Sequence, residues 1–212
     1  PYVVVGNEGA DSNRTLIQPD VATATREAVQ RLFEMGHKDI GLVSERFVSG
    51  YSQMILFAFR QAYRERELDL KPEWIQSSGR RLEGGIEPMK RMLALSNRPT
   101  ALLFTNIRIA ANAYGLAREH GLEIPGDLSM VAFSATGERE AQVPVDRLVV
   151  DYPMLGTLAV KLLLEKIEDP AHPRLTVNLP CRYQEHGSCG VRTESGAAGV
   201  FMDSPLTFRE ER

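Results

Sequence analysis

The sequence lacks the residues of a disulfide scaffold. Its only cysteines are Cys181 and Cys189 among 212 residues, so a multiply bridged framework is excluded and a reducing, cytoplasmic compartment is expected. Long hydrophobic runs are missing too. No stretch approaches the about 18 apolar residues of a membrane span, and the first residues, PYVVVGNEG, carry no basic n-region of a signal peptide. An excess of positive charge is also absent. The net charge of −3 leaves no global electrostatic footprint for nucleic acid or for an anionic membrane. Finally, the motifs of common chemistries do not occur. There is no GxxxxGK[ST] phosphate loop, GxGxxG turn, HExxH helix or GxSxG elbow.

What is present is an alternation of strands and helices. The run YVVV (2–5) reads as a buried strand. DVATATREAVQRLFEMG (20–36) reads as a helix, with Asp20 as N-cap and Gly36 as C-cap. Strands follow at 40–43, 73–76, 100–104, 128–133 and 147–151, and helices at 51–65, 83–96, 108–121 and 153–169. Pro170 stops the last helix, and 174–185 is a final extended segment. Apolar strands separated by helices predict an α/β fold, a doubly wound parallel sheet covered on both faces. Ligands of such sheets bind beyond the carboxyl ends of the strands. The candidate positions are therefore 43–44, 77–80, 105–106 and 134–135. The Gly- and Ser-rich segment 187–212 reads as a mobile arm or a tag-like extension.

Other polar residues carry bland readings. Cys181, His186 and Cys189 fit no zinc spacing and lack a fourth ligand, so no metal and no cofactor is expected. His37 and His120 each sit at a helix end, where a cation is favourable, and a structural role outweighs a catalytic one. Glu119, Glu138 and Glu140 form no pair placed for acid–base work. The run YRERELDLK (63–71) is a solvated face. No residue pattern points to an enzyme.

Several segments, in order and at matching spacing, carry a family resemblance. They are PYVVVGN, AVQRLFEMGHKDIGLV, FAFRQAY, RPTALLFTN, AANAYGLAREHGLEIPGDLSMVAFS, MLGTLAVKLLLEKIEDP and LPCRYQEHGS. Together they resemble the effector-binding core of the LacI/GalR family of bacterial transcription regulators, a type I periplasmic-binding-protein-like two-lobe fold. The resemblance implies an incomplete N-terminal lobe. Residues 1–18 would be that lobe's last in-order strand and 19–150 the C-terminal effector-binding lobe. Residues 151–175 would return as a helix to the N-terminal lobe, 176–188 would form the final strand of the C-terminal lobe, and 189–212 a flexible tail. The family's DNA-binding headpiece is then expected outside these residues, which hold no base reader.

The resemblance also implies ligand-binding positions. Asn106 matches the family asparagine of the AxND motif; it would bind a hydroxylated ligand or cap the next helix, and the two roles are compatible. The neighbouring family acid is Ile107 here, and the acid after the first strand is Gly6. The family arginine three residues before the GF pair falls on Ile55, and the acid of the GFDD-like strand end falls on Ser134. Four charged positions have thus become apolar or small, which argues against a typical sugar and against an anion held by that arginine. Arg80 falls at a lining position or is a surface arginine. Tyr152 lines the cleft or packs the hinge. Tyr51 and Ser52 open a helix beside the cleft.

The reading favoured by these residues is a ligand-sensing and dimerisation core. It would bind a small effector, sugar-like or nucleoside-like but atypical, and act on operator DNA through the headpiece as a cytoplasmic homodimer with no membrane partner. A solute-binding protein for a sugar-like ligand is the alternative. A core that has lost its effector and serves assembly is the third reading.

Overall fold

The structure is a computed structural model, and it describes residues 1–6, 14–47, 49–77, 84–137 and 143–192. Two sheets organise it. In the larger one, five parallel strands lie side by side in the order β4 (Ile75–Ser77), β3 (Ile40–Ser44), β5 (Ala101–Phe104), β6 (Ser129–Ala135) and β7 (Asp146–Val150). The short β9 (Arg182–Gln184) closes its edge antiparallel to β7. The smaller sheet is parallel, in the order β1 (Val4–Val5), β2 (Leu16–Asp20) and β8 (Thr176–Pro180).

The period of two along each central strand divides the core. Ile40, Leu42, Ala101, Leu103, Val131 and Phe133 point to one face, where they pack with α1 (Val21–Glu34) and α2 (Gly50–Glu65). Val43, Leu102, Phe104, Met130 and Ala132 point to the other, against α3 (Ile86–Leu93) and α4 (Ile107–Glu119). A strand buried on both faces must be apolar at every position. That is why IGLV and ALLF are legible as strands without any alternation. On the first face Tyr63 is fully buried, and its hydroxyl accepts a 2.8 Å bond from the Ile40 amide. Burial pushes the Tyr63 phenol well above its usual range.

The chain passes between the sheets at three places: from β2 into α1, from β7 into α5 (Tyr152–Glu168), and from β8 into β9. Carboxylates mark two of these crossings as helix caps. Asp20 Oδ1 accepts from Thr23 N–H at 3.1 Å, and Asp151 Oδ1 accepts from Met154 N–H at 3.0 Å.

Three sequence expectations are revised. Leu16–Asp20 forms a strand of the smaller sheet, although its Gln, Pro and Asp gave no strand pattern. Pairing with β1 and β8 decides its conformation. The extended segment 174–185, read as one final strand, divides at Cys181 into β8 of the smaller sheet and β9 of the larger. The first residues of the expected arm are packed. Gly190 N–H donates to Ser129 Oγ at 3.1 Å, and Arg192 N–H donates to the Met35 carbonyl at 2.7 Å. Residues 193–212 lie outside the described residues.

His37 is structural, as the sequence suggests, but not as a cation. It is buried, with Nε2 3.0 Å from the Gly190 carbonyl and Nδ1 2.9 Å from Thr100 Oγ1. The carbonyl requires the proton on Nε2, which leaves Nδ1 to accept. Burial, with a smaller effect from Arg192, holds its pKa below the ordinary imidazole value. A second proton must therefore be kept off the ring in the folded state but not in the unfolded one. The stability this contributes is present above about pH 6.5 and is lost as pH falls from there toward the lower folded value. Denaturation midpoints at pH 7.5 and 5.5 are expected to differ in the wild type, and to differ less in His37→Gln.

Candidate functional site

Serine or threonine stands at the carboxyl ends of four neighbouring parallel strands. Ser77 ends β4, Ser44 ends β3, Thr105 follows β5, and Ser134 lies one residue from the end of β6. Above them opens a cavity of about 330 Å³. Its walls are Ser44, Thr105, Phe133, Ser134 and Ala135 from the strand ends, Ser49, Tyr51 and Ser52 from the start of α2, Asn106 from the cap of α4, and Val150 and Tyr152 from the crossing into α5. Glu45 and Arg46 of the β3–α2 loop complete the lining.

Each wall has a local cause. Ser49 caps α2: its Oγ accepts from Ser52 N–H at 3.2 Å and lies 3.0 Å from Ser52 Oγ. Asn106 caps α4, its Oδ1 accepting from Arg108 N–H at 2.7 Å. Capping uses the amide oxygen of Asn106. Its two Nδ2 protons have no acceptor among the described residues, so the side chain can cap a helix and donate into the cavity together. The Tyr51 ring meets Phe133 edge-on, 5.7 Å between centroids, a favourable quadrupole geometry that makes an aromatic wall.

The β3–α2 loop is held down by the hydroxyl row. Ser77 Oγ donates to the Glu45 carbonyl at 2.8 Å and Ser44 Oγ to the Arg46 carbonyl at 3.4 Å, while Thr105 Oγ1 donates to Ser44 Oγ at 3.1 Å. These bonds set the loop over the strand ends. Glu45 and Arg46 keep exposed side chains, and among the described residues neither side chain has a hydrogen-bond or ion-pair partner.

Of the positions singled out from sequence, Asn106, Ser134, Tyr152, Tyr51 and Ser52 line this one cavity. Ser134 is 6% exposed and Tyr152 is 54% exposed, so the first belongs to the floor and the second to the rim. Ile55 is a correction. It is fully buried in the core with Phe59 and Leu42 and does not line the cavity. One turn along α2 from Tyr51, a branched aliphatic chain is too short and too apolar to turn toward the opening. Arg80 lies outside the described residues. Sequence reasoning missed Glu45, Arg46 and Ser49. Ser49 carried a signal, a serine three residues before Ser52 at a helix start; the loop pair carried none, since only the hydroxyl row positions it.

The arrangement presents donors and acceptors, and among the described residues it holds no nucleophile–base pair. The thiols lie elsewhere, and burial pushes both Cys181 and Cys189 up to about 12, so neither is a thiolate at neutral pH. Among the described residues no cluster of His, Cys, Asp or Glu is placed to hold a metal ion, and no helix is long and apolar enough to cross a membrane.

Comparison with known proteins agrees with this geometry. The profile of the periplasmic binding protein-like domain matches residues 29–189. The ribose operon repressor of Haemophilus influenzae is 30% identical over 171 residues, covering 80% of this chain and 52% of that protein. The HTH-type transcriptional repressor PurR of Actinobacillus pleuropneumoniae serotype 3 is 30% identical over 169 residues, covering 79% and 50%. The chain thus spans about half the length of these relatives. A LacI family transcriptional regulator from Enterococcus faecium, solved with bound ribose, superimposes with a TM-score of 0.75 at 18% identity, over 91% of this chain and 72% of that one, which shows a shared fold. The chain belongs to the periplasmic binding protein-like domain family and is homologous to the repressors of the LacI family.

Proposed function

We propose that this chain is the ligand-sensing core of a LacI-type transcription regulator. The observation that carries this reading is the cavity at the strand ends. Hydroxyls, one amide and an aromatic pair face a space of about 330 Å³, the size range of small-molecule sites. It opens beside Val150 and Tyr152, where the chain crosses between the sheets. A ligand that touches both the strand ends and this crossing binds the closed arrangement better than the open one. It therefore shifts the balance between them. Coupled to a DNA-binding unit, that shift would alter operator affinity. The relatives are named as repressors, and ribose occupies the regulator from Enterococcus faecium; both support a small polar effector. Action as a cytoplasmic homodimer belongs to the same proposal.

The test is a calorimetric screen of sugars, sugar acids and nucleosides. At least one is expected to bind, and Asn106→Ala is expected to weaken it roughly tenfold or more by removing a donor from the ligand. Circular dichroism spectra that match the wild type would show that the variant is folded. If no ligand in the panel binds, or if the Asn106→Ala variant binds as well as the wild type, the reading fails.

A further inference from the structure

The charge at this cavity comes from an unexpected place. The position on α2 where the family resemblance puts an arginine is Ile55, buried in the core. The positions expected to be acidic at the strand ends are Ser134 and Ile107. The floor is therefore uncharged: Ser44, Ser52, Thr105, Asn106 and Ser134 offer hydroxyls and an amide. Among the described lining residues, charge returns at the mouth, on Glu45 and Arg46.

Their loop is built to hold them there. The Glu45 and Arg46 carbonyls accept from the Ser77 and Ser44 hydroxyls, and Thr105 supports Ser44 from the next strand. Arg46 has a guanidinium with five donors and no partner among the described residues. An arginine left without a carboxylate on an anchored loop, beside a cavity, presents a planar fork that matches an anionic oxygen pair. Glu45 next to it can only accept. It favours a ligand that also carries hydroxyl donors, and it disfavours a second anionic group.

We infer that Arg46 is the specificity-determining residue of the site, and that the effector is a polyhydroxylated molecule bearing one anionic group, a sugar acid or a sugar phosphate. The inference rests on the sensing role proposed above. The anionic group docks on Arg46 at the mouth, and the hydroxylated body meets Asn106 and the hydroxyl row below. The grip that relatives of this fold would place on the helix has moved to the loop before it.

Calorimetry with glucose, gluconate and glucose 6-phosphate tests this, since the three share a carbon skeleton and differ in charge. Gluconate or glucose 6-phosphate is expected to bind roughly tenfold or more tightly than glucose. The two anionic arms show whether carboxylate or phosphate is preferred. Arg46→Ala is expected to erase the preference and Arg46→Lys to keep part of it; both lie on an exposed loop where folding is readily checked. Inorganic phosphate supplies an arm that does not depend on the carbon skeleton. It is expected to shift the Tyr51, Ser52 and Ile107 amide resonances in the wild type and not in Arg46→Ala. Equal binding of glucose and both anions, a preference that survives Arg46→Ala, or no response to any of the three anions overturns the inference. Gluconate and glucose 6-phosphate binding lost in Asn106→Ala but unchanged in Arg46→Ala would overturn the role of Arg46 alone and leave the sensing role standing.

Discussion

Asp146→Ala is expected to lower the stability of the protein by about 3 kcal/mol, because one buried and two part-buried donors lose their acceptor together. Asp146 begins β7 and is 3% exposed. Its Oδ1 accepts from His186 N–H at 2.7 Å and Ser188 N–H at 3.2 Å, and its Oδ2 accepts from the Tyr183 hydroxyl at 2.7 Å. The Asp146 amide in turn donates to Ser188 Oγ at 2.7 Å. One carboxylate thus fastens the segment after β9 to the edge of the larger sheet, with Arg31 of α1 stacked 4.6 Å over the Tyr183 ring. Burial alone would raise the Asp146 pKa; hydrogen bonds from His186, Tyr183, Ser188 and Cys189 outweigh it and hold the pKa below the usual range.

That direction sets the pH dependence. The folded state binds the proton less readily than the unfolded chain. The contribution is therefore complete above about pH 4 and is lost as pH falls through the lower folded value. Chemical denaturation at neutral pH should show the full loss in Asp146→Ala, and a smaller loss in Asp146→Asn, which keeps one carbonyl oxygen. The site should be spared. Val150, at the cavity, is four residues along β7, roughly 13 Å from Asp146. Ligand affinity of the folded variant should stay within about threefold of the wild type, since no side chain at the cavity is altered. An unchanged denaturation midpoint would refute the role assigned to Asp146.

Gly85→Ala should be comparably damaging, by about 3 kcal/mol, for reasons that belong to the backbone. Gly85 caps α3 with φ of 106°, a region an L side chain rarely enters. An added Cβ would also sit 2.3 Å from the Ile109 carbonyl oxygen in the first turn of α4. A backbone atom of a packed helix cannot yield as a flexible side chain would. Both costs act on one methyl group, so strain and collision add. Ile109 lies three residues after Asn106, and displacement of the α4 start is expected to move the cap that lines the cavity. Gly85→Ala should therefore weaken ligand binding as well as stability, whereas Asp146→Ala should weaken stability alone. Gly121→Ala provides the comparison. That glycine has φ of 76° but nothing within 4 Å of its added Cβ, so a loss of about 1 kcal/mol is expected from strain alone.

The contrast between these residues shows what the sequence could carry. Strands β3, β5 and β6 were legible because burial on both faces demands unbroken apolar runs. The site's floor followed, because Ser44, Thr105 and Ser134 sit where those runs end. Asn106 was legible as the cap of α4 and as a cavity-lining residue, since an asparagine at a strand end can do both. Strand β2 was not legible: LIQPD becomes extended through partners 160 residues away, as Gln18 and Asn178 illustrate with a 2.9 Å bond between their side chains. Ile55 failed as a site residue because matching a motif position does not carry over the reach of the side chain found there. Glu45 and Arg46 were invisible because nothing local marks them. Their place depends on serines of two different strands.

The central claim is that the cavity beneath Arg46 and Tyr152 senses a small polar molecule. The most direct test is amide chemical-shift mapping of the protein titrated with glucose 6-phosphate and gluconate. Saturable shifts are predicted to cluster at residues 44–52, 105–107, 134–135 and 150–152, with little change around Asp146 and His37 at the far end of the sheet. Saturable shifts confined to other surfaces, or none at all in these four segments, would contradict it.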